Sequence, residues 1–261
     1  MKASPSPGDG TKDRTVPALP GGVLARTAGL VAQVRHAVEV PLLLVVLAVS
    51  AAVWGFVELA GEVVEGDTTA FDDRILLTLR TPGDLADPIG PHWIEETARD
   101  VTGLGGVWIL LGIVVVTAGY FLLARRWRVA LMVVLANAGG TALTFGLKHG
   151  FDRPRPELVP HETVVYTTSF PSGHAMMSAI VYLTLGTMIA RVQPTRGLKV
   201  YVIGIACLLT LLIGTSRIYL GVHYPTDVLA GWMGGAAWAL LCRLLLSRFE
   251  ARTGKDPGGK A

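Results

Sequence analysis

Residues 170–190 read FPSGHAMMSAIVYLTLGTMIA. A short polar and flexible group, Pro171-Ser172-Gly173-His174, stands directly ahead of a long apolar run. A bilayer-spanning helix needs roughly 20 predominantly apolar residues. Backbone surrounded by lipid must pair its own N–H and C=O groups, so a run of this kind folds as a helix. His174 then sits at the mouth of a membrane helix, and two questions follow: how many such helices the chain holds, and what a histidine does at that mouth.

Working outward, five more stretches are long and apolar enough to span. With His174–Ala190 as the fourth, the set is Val40–Ala60, Val107–Ala124, Val129–Leu147, His174–Ala190, Val200–Thr215 and Val228–Leu246. The pattern predicts an all-α polytopic membrane protein, a six-transmembrane-helix bundle. Composition agrees, because 51% of the 261 residues are hydrophobic and only 16% are charged, low for a soluble domain of this length. The membrane domain is expected over residues 37–248. Residues 1–36, rich in Pro, Gly, Asp and Lys up to about Pro20, are expected to be a disordered basic cytoplasmic N-terminus, and 249–261 a cytoplasmic tail. The first apolar stretch reads as an uncleaved signal anchor.

Lys and Arg in the connections set the orientation. Arg26 and Arg35 precede span one, Arg125, Arg126 and Arg128 lie between spans two and three, Arg191, Arg196 and Lys199 between four and five, and Arg248 and Arg252 follow span six. The 61–106 connection is instead acidic, with Asp67, Asp72, Asp73, Asp84, Asp87, Glu95, Glu96 and Asp100 among its residues. Both termini are therefore expected in the cytoplasm and the acidic loop outside. Within that loop Phe71, Ile75 and Leu79 repeat at helical spacing, with Asp72, Asp73 and Arg80 on other faces, as do Ile94, Ala98 and Val101. Two short interfacial helices are predicted there. Gly231 and Gly235 form a Gly-x-x-x-Gly, a pattern suited to close helix packing.

Several classes are excluded. A net charge of +3 without a basic, aromatic-laced stripe argues against nucleic acid. Cys207 and Cys242 fall inside apolar runs and read as small buried hydrophobes, not as a disulfide or metal site. No Cys-x-x-Cys, His-Glu-x-x-His or Gly-x-x-x-x-Gly-Lys-Ser/Thr pattern is present. The span centres are almost free of ionisable residues, which a transporter would place mid-membrane. Nothing in the pattern sets an oligomeric state.

Three polar clusters share one membrane face by parity: Lys148–Pro156 after span three, Ser172-Gly173-His174 before span four, and Ser216–Asp227 between spans five and six. Lys148, Arg155 and Arg217 supply cations, Ser172 a hydroxyl, and Gly173 an open backbone. The start of span four adds unpaired N–H groups and the positive end of a helix dipole. The sum is a pocket for a tetrahedral oxyanion, phosphate above all. Asp227 follows His223 by four residues, just past Pro225, and so faces back toward it. A carboxylate on one imidazole nitrogen leaves the other basic, as an oriented nucleophile or base requires. His174 would be the partner acid.

These stretches resemble a known family. KHGFDRPRP at 148–156 matches Lys-x6-Arg-Pro, residues 171–174 read Pro-Ser-Gly-His, and SRIYLGVHYPTD at 216–227 matches Ser-Arg-x5-His-x3-Asp. Together they are similar to the signature of the type 2 phosphatidic acid phosphatases, a superfamily shared with vanadium haloperoxidases. The resemblance implies a metal-independent membrane lipid phosphatase. In it His223 would attack phosphorus and form a phosphohistidine, Asp227 would orient His223, and His174 would protonate the leaving group and activate water. Lys148, Arg155, Ser172, Gly173 and Arg217 would hold phosphoryl oxygens. The partner would be a membrane lipid phosphate: undecaprenyl pyrophosphate, phosphatidate or phosphatidylglycerophosphate. The site would lie on the extracytoplasmic side of the cell membrane. An inactive homologue that binds lipid phosphate is the alternative. Arg153 is left between a second phosphate contact and a surface loop position, the latter favoured. Ser216 is as readily a capping residue as a ligand. His36, His92, His149 and His161 read as ordinary interfacial residues.

Overall fold

The structure, a computed structural model, describes residues 21–156 and 168–253. The chain divides into two units, residues 1–43 and 44–261; the first described element is helix α1 (Gly21–Glu65). Everything below concerns the second unit. After α1 come α2 (Thr69–Thr78), a two-stranded antiparallel ribbon of β1 (Arg80–Thr81) and β2 (Asp84–Pro88), α3 (His92–Gly103), α4 (Val107–Leu123) and α5 (Trp127–Gly150). Then follow α6 (Gly173–Ser178), a π-helical turn (Ala179–Leu183), α7 (Thr184–Val192), α8 (Arg196–Tyr219) and α9 (Pro225–Thr253).

The fold is an all-α membrane bundle. Five segments are long and apolar enough to cross a bilayer: Leu42–Glu65, Trp127–Gly150, Gly173–Val192, Arg196–Tyr219 and Pro225–Arg248. The remaining expected span corresponds to α4, whose 17 residues pass the same test only together with α3, from which it bends by 47°. Bulky apolar side chains point outward along these helices: Leu44, Leu47, Val116, Leu123, Val200 and Leu208 are all exposed on the protein surface. In water that surface would be strongly unfavourable, whereas lipid tails cover it at little cost. Cys207, expected to be buried, is part of this lipid-facing surface, and Cys242 is half-buried.

Segment α6–α7 is the centre of the bundle, with 56% of its apolar window enclosed. It reaches that position because α9 presents Gly231 and Gly235 to it. A Cβ on Gly231 would lie 2.8 Å from the Ser172 carbonyl oxygen, and one on Gly235 would lie 2.6 Å from that of Met176. Backbone therefore meets backbone, as the small-residue spacing predicts. The π-helical turn follows within the same packed stretch, with Ala179, Ile180 and Val181 buried.

The acidic connection holds the two predicted helices, α2 and α3, and the ribbon between them, which the sequence reading missed. α3 lies along α8 and α2 reaches α9. Arg80, read as lying off the apolar face of a helix, instead begins β1, is buried, and donates to the Tyr219 carbonyl at 2.9 Å, capping the C-terminus of α8. Burial holds its guanidinium below the usual arginine range.

Candidate active site

Four elements deliver the predicted residues to one end of the bundle. Lys148 is in the last turn of α5, and Arg155 in the extended segment 151–156 that leaves it. Ser172 is the N-cap of α6, followed by Gly173 and His174. Arg217 is in the last turn of α8, His223 lies in the connection 220–224, and Asp227 is in the first turn of α9, with Pro225 opening that helix. Proline fits there because the first turn needs no N–H donor.

His223 is 2% exposed and Asp227 is fully buried. The two nitrogens of His223 meet different surroundings. Nδ1 lies 3.4 Å from Asp227 Oδ2 and 3.4 Å from Ser169 Oγ, while Nε2 faces Arg155 Nη1 at 3.2 Å. Burial is the main cause that pushes His223 down to about 3; the bond and charge of Asp227 oppose it, and Arg155 and Arg217 reinforce it. The ring is therefore neutral at physiological pH. With Asp227 accepting from Nδ1, the lone pair is on Nε2.

Asp227 is held from several directions. The Ser169 hydroxyl and the Tyr224 N–H, at 3.0 Å, both donate to Oδ2, and Arg153 Nη1 donates to Oδ1 at 2.6 Å. The Asp227 carbonyl in turn accepts the Ser172 N–H at 2.9 Å, which ties the start of α6 to the start of α9.

Lys148 and Arg155 are positioned by backbone carbonyls, Arg217 by a threonine hydroxyl. Lys148 Nζ donates to Thr168 O at 2.8 Å, and Arg155 Nη1 donates to Val222 O at 2.8 Å. Arg217 Nη1 donates to Thr102 Oγ1 of α3 at 3.1 Å. Burial keeps the Arg155 guanidinium below its usual range. His174 lies within electrostatic reach of Arg217, His223, Arg155 and Lys148, so the expected set converges. The Ser172 hydroxyl and Arg217 Nε are buried with no hydrogen-bond partner among the described residues. A buried polar atom of this kind costs stability unless something binds it. A Cβ on Gly173 would stand 3.2 Å from Lys148 Cε, so a larger residue would crowd that lysine.

Arg153 corrects the sequence reading. The favoured surface-loop reading does not hold, because its side chain is only 10% exposed and both terminal guanidinium nitrogens are engaged within the protein. Besides Asp227 it donates to Thr226 Oγ1 at 2.8 Å, Thr68 Oγ1 at 3.2 Å and Asp72 Oδ2 at 2.7 Å, and its guanidinium lies 4.3 Å from the Tyr224 ring centroid. Burial acts to lower its proton affinity, but Asp227 and Asp72 outweigh it and raise the group above the usual range. Ser169, Asp72 and Thr226 were also missed. Ser169 directly precedes the Phe170-Pro171 pair, and only that adjacency to a recognised motif could have flagged it. Ser216 bonds Ile213 O at 2.7 Å and is a packing residue. His92 pairs with Glu96 at 3.4 Å and His149 with Phe145 O at 2.7 Å, both exposed; His161 and the side chain of His36 lie outside the described residues. Among the described residues no cluster suited to a metal ion occurs.

The sequence profile of the PAP2 superfamily matches residues 126–250, which contain all of these motifs. Phosphatidylglycerophosphatase B of Bacillus subtilis is 35% identical over 164 residues, covering 61% of this chain and 77% of that protein. The chain belongs to the PAP2 superfamily, the type 2 phosphatidic acid phosphatases. The crystal structure of a transmembrane PAP2-type phosphatidylglycerolphosphate phosphatase from Bacillus subtilis superposes with a TM-score of 0.68 at 29% identity, covering 77% of this chain and 96% of that one. Lipid A 1-phosphatase of Rhizobium etli is 26% identical over 188 residues, 62% of this chain and 77% of that protein. With the membrane bundle, these place the chain among the integral-membrane lipid phosphatases.

Proposed function

We propose that this PAP2 protein removes the terminal phosphate of a membrane lipid, a glycerolipid phosphate or an isoprenyl pyrophosphate, through a phosphohistidine on His223. The observation that carries the reading is the division of labour at His223, with Nδ1 on Asp227 and Nε2 turned toward Arg155. Nε2 attacks phosphorus and the bond from phosphorus to the lipid oxygen breaks. His174 gives that oxygen its proton. His174 then takes a proton from water, the hydroxide attacks the phosphoryl group, the N–P bond breaks and inorganic phosphate leaves. Lys148, Arg155, Arg217, the Ser172 hydroxyl and the first N–H groups of α6 hold the phosphoryl oxygens. Such preorganised charge, shielded from bulk water, commonly lowers a reaction barrier more than any other single effect. With three cations on the oxyanion, the reaction needs no metal ion.

The substrate class follows from position. The site lies at bundle ends, so a headgroup can reach it while the tail stays in lipid. Phosphatidylglycerophosphate, phosphatidate and undecaprenyl pyrophosphate are the candidates, the first favoured by the name of the Bacillus subtilis relatives. We place the site on the extracytoplasmic side. The opposite end gathers the Arg126 and Arg191 connections around one groove, the distribution that marks a cytoplasmic face.

Phosphate release from a panel of these purified lipids, with chelator present, tests the proposal. Wild type should turn over at least one of them at an unchanged rate with chelator, and His223→Ala should be inactive yet still folded in detergent. Undiminished release by His223→Ala would overturn the mechanism.

A further inference from the structure

Asp72 lies in the first turn of α2, far in sequence from every motif that marks the site. It is fully buried, and everything it holds leads to Asp227. Its Oδ1 accepts the Thr226 N–H at 3.1 Å, and its Oδ2 accepts Thr226 Oγ1 at 2.6 Å and Arg153 Nη2 at 2.7 Å. The other guanidinium nitrogen of Arg153 holds Asp227 Oδ1. One buried cation is thus shared between two buried carboxylates, with Tyr224 across its face.

The charge count shows why this is more than a staple. A single neutral pair, Arg153 with Asp227, would suffice to hold the start of α9. It would also neutralise the carboxylate that faces His223. Adding Asp72 leaves the triad with one net negative charge. A buried charge is costly unless compensated; the triad meets the site through Asp227, which faces the His223 imidazole and lies within electrostatic reach of Arg155 and Lys148.

We propose that Asp72 is a positioning residue for the reaction: by sharing Arg153, it keeps Asp227 effectively anionic toward His223 and so sustains the basicity of Nε2. The proposal rests on the reading of His223 as nucleophile. When Nε2 is phosphorylated, the ring becomes positive, and the net charge of the triad opposes that build-up. The other groups around His223 are Ser169 ahead of α6, Arg155 after α5, and Arg217 and His174 by their charges. The cations among them disfavour a positive imidazole, which makes the opposing charge necessary.

The test compares Asp72→Asn, Asp72→Glu and wild-type enzyme in detergent on one lipid phosphate. Asparagine keeps the shape and one acceptor oxygen for Thr226, but loses the charge and the second acceptor. Its kcat should fall about tenfold with KM little changed, the change expected when one charge near a titrating group is removed. The acid limb of kcat/KM should move down by about one pH unit, because His223 binds its proton less tightly. Glutamate restores the charge with imperfect fit, so its acid limb should stay with wild type even where kcat does not. An unmoved acid limb in Asp72→Asn, or a loss of rate matched by a loss of folded protein, would overturn the proposal. Trapping of phosphoenzyme on wild type separates this from the underlying reading. If none forms, the phosphohistidine fails on wild type alone, whatever the variants do; if it forms at the same rate in Asp72→Asn, the positioning role fails.

Discussion

Arg153 and Arg217 are equivalent as letters in a sequence and opposite in the folded protein. Arg153 has its guanidinium filled by Asp227, Asp72, Thr226 and Thr68. Arg217 has Thr102 on one nitrogen and leaves its buried Nε without a hydrogen-bond partner among the described residues. The first therefore shapes the site and the second can take up an anion. Arg217→Ala should lower kcat/KM by on the order of 10²-fold, the usual effect of losing one preorganised charge contact. Arg217→Lys should recover only part of it, because a point charge does not replace the planar fork. A phosphate-release assay within threefold of wild type for Arg217→Ala would remove it from the ligand set. Residue identity was enough to nominate Arg217, since a motif contains it. It could not nominate Asp72, one acid among many in its loop, whose partners lie at 153 and 226.

At the scale of elements, the contact between α6 and α9 decides whether the site forms. The first carries Ser172 and His174, the second Asp227, and glycines set their separation. Gly235→Ala adds a single methyl, yet its Cβ would sit 2.6 Å from the Met176 carbonyl oxygen and 2.5 Å from Ala179 Cβ. Neither neighbour is a flexible side-chain end, so the helices must part, at about 1–3 kcal/mol. Thermal melting in detergent should show a lowered midpoint, and phosphate release should fall with it. Gly112→Ala in α4, where nothing lies within 4 Å of the added carbon, should match wild type in both assays. An unaltered midpoint for Gly235→Ala would mean that this contact does not limit stability. The Gly-x-x-x-Gly was legible because spacing alone carries it. The break between α3 and α4 was legible too, in Gly103, Gly105 and Gly106, but its 47° angle and the π-helical turn at Ala179–Leu183 were not.

For the whole molecule, the proposed orientation makes a direct prediction. With Cys207 and Cys242 replaced by alanine, a cysteine at the exposed ribbon position Asp84 should react with a membrane-impermeant thiol reagent in intact cells. Reaction only after the membrane is opened would put the site on the cytoplasmic side. The sequence alone determined that the chain lives in a membrane, where most of its helices lie, and which histidines and cations would meet. Hydropathy is a local quantity summed along a helix, and parity then assigns each helix end to a face. Only the tertiary structure decided which nitrogen of His223 meets Asp227, that Arg153 is consumed within the protein, and that an acid from the 61–106 connection stands behind the site. Those facts depend on the direction and depth at which side chains from distant segments arrive, and burial, not spacing, turns such an arrival into a strong interaction.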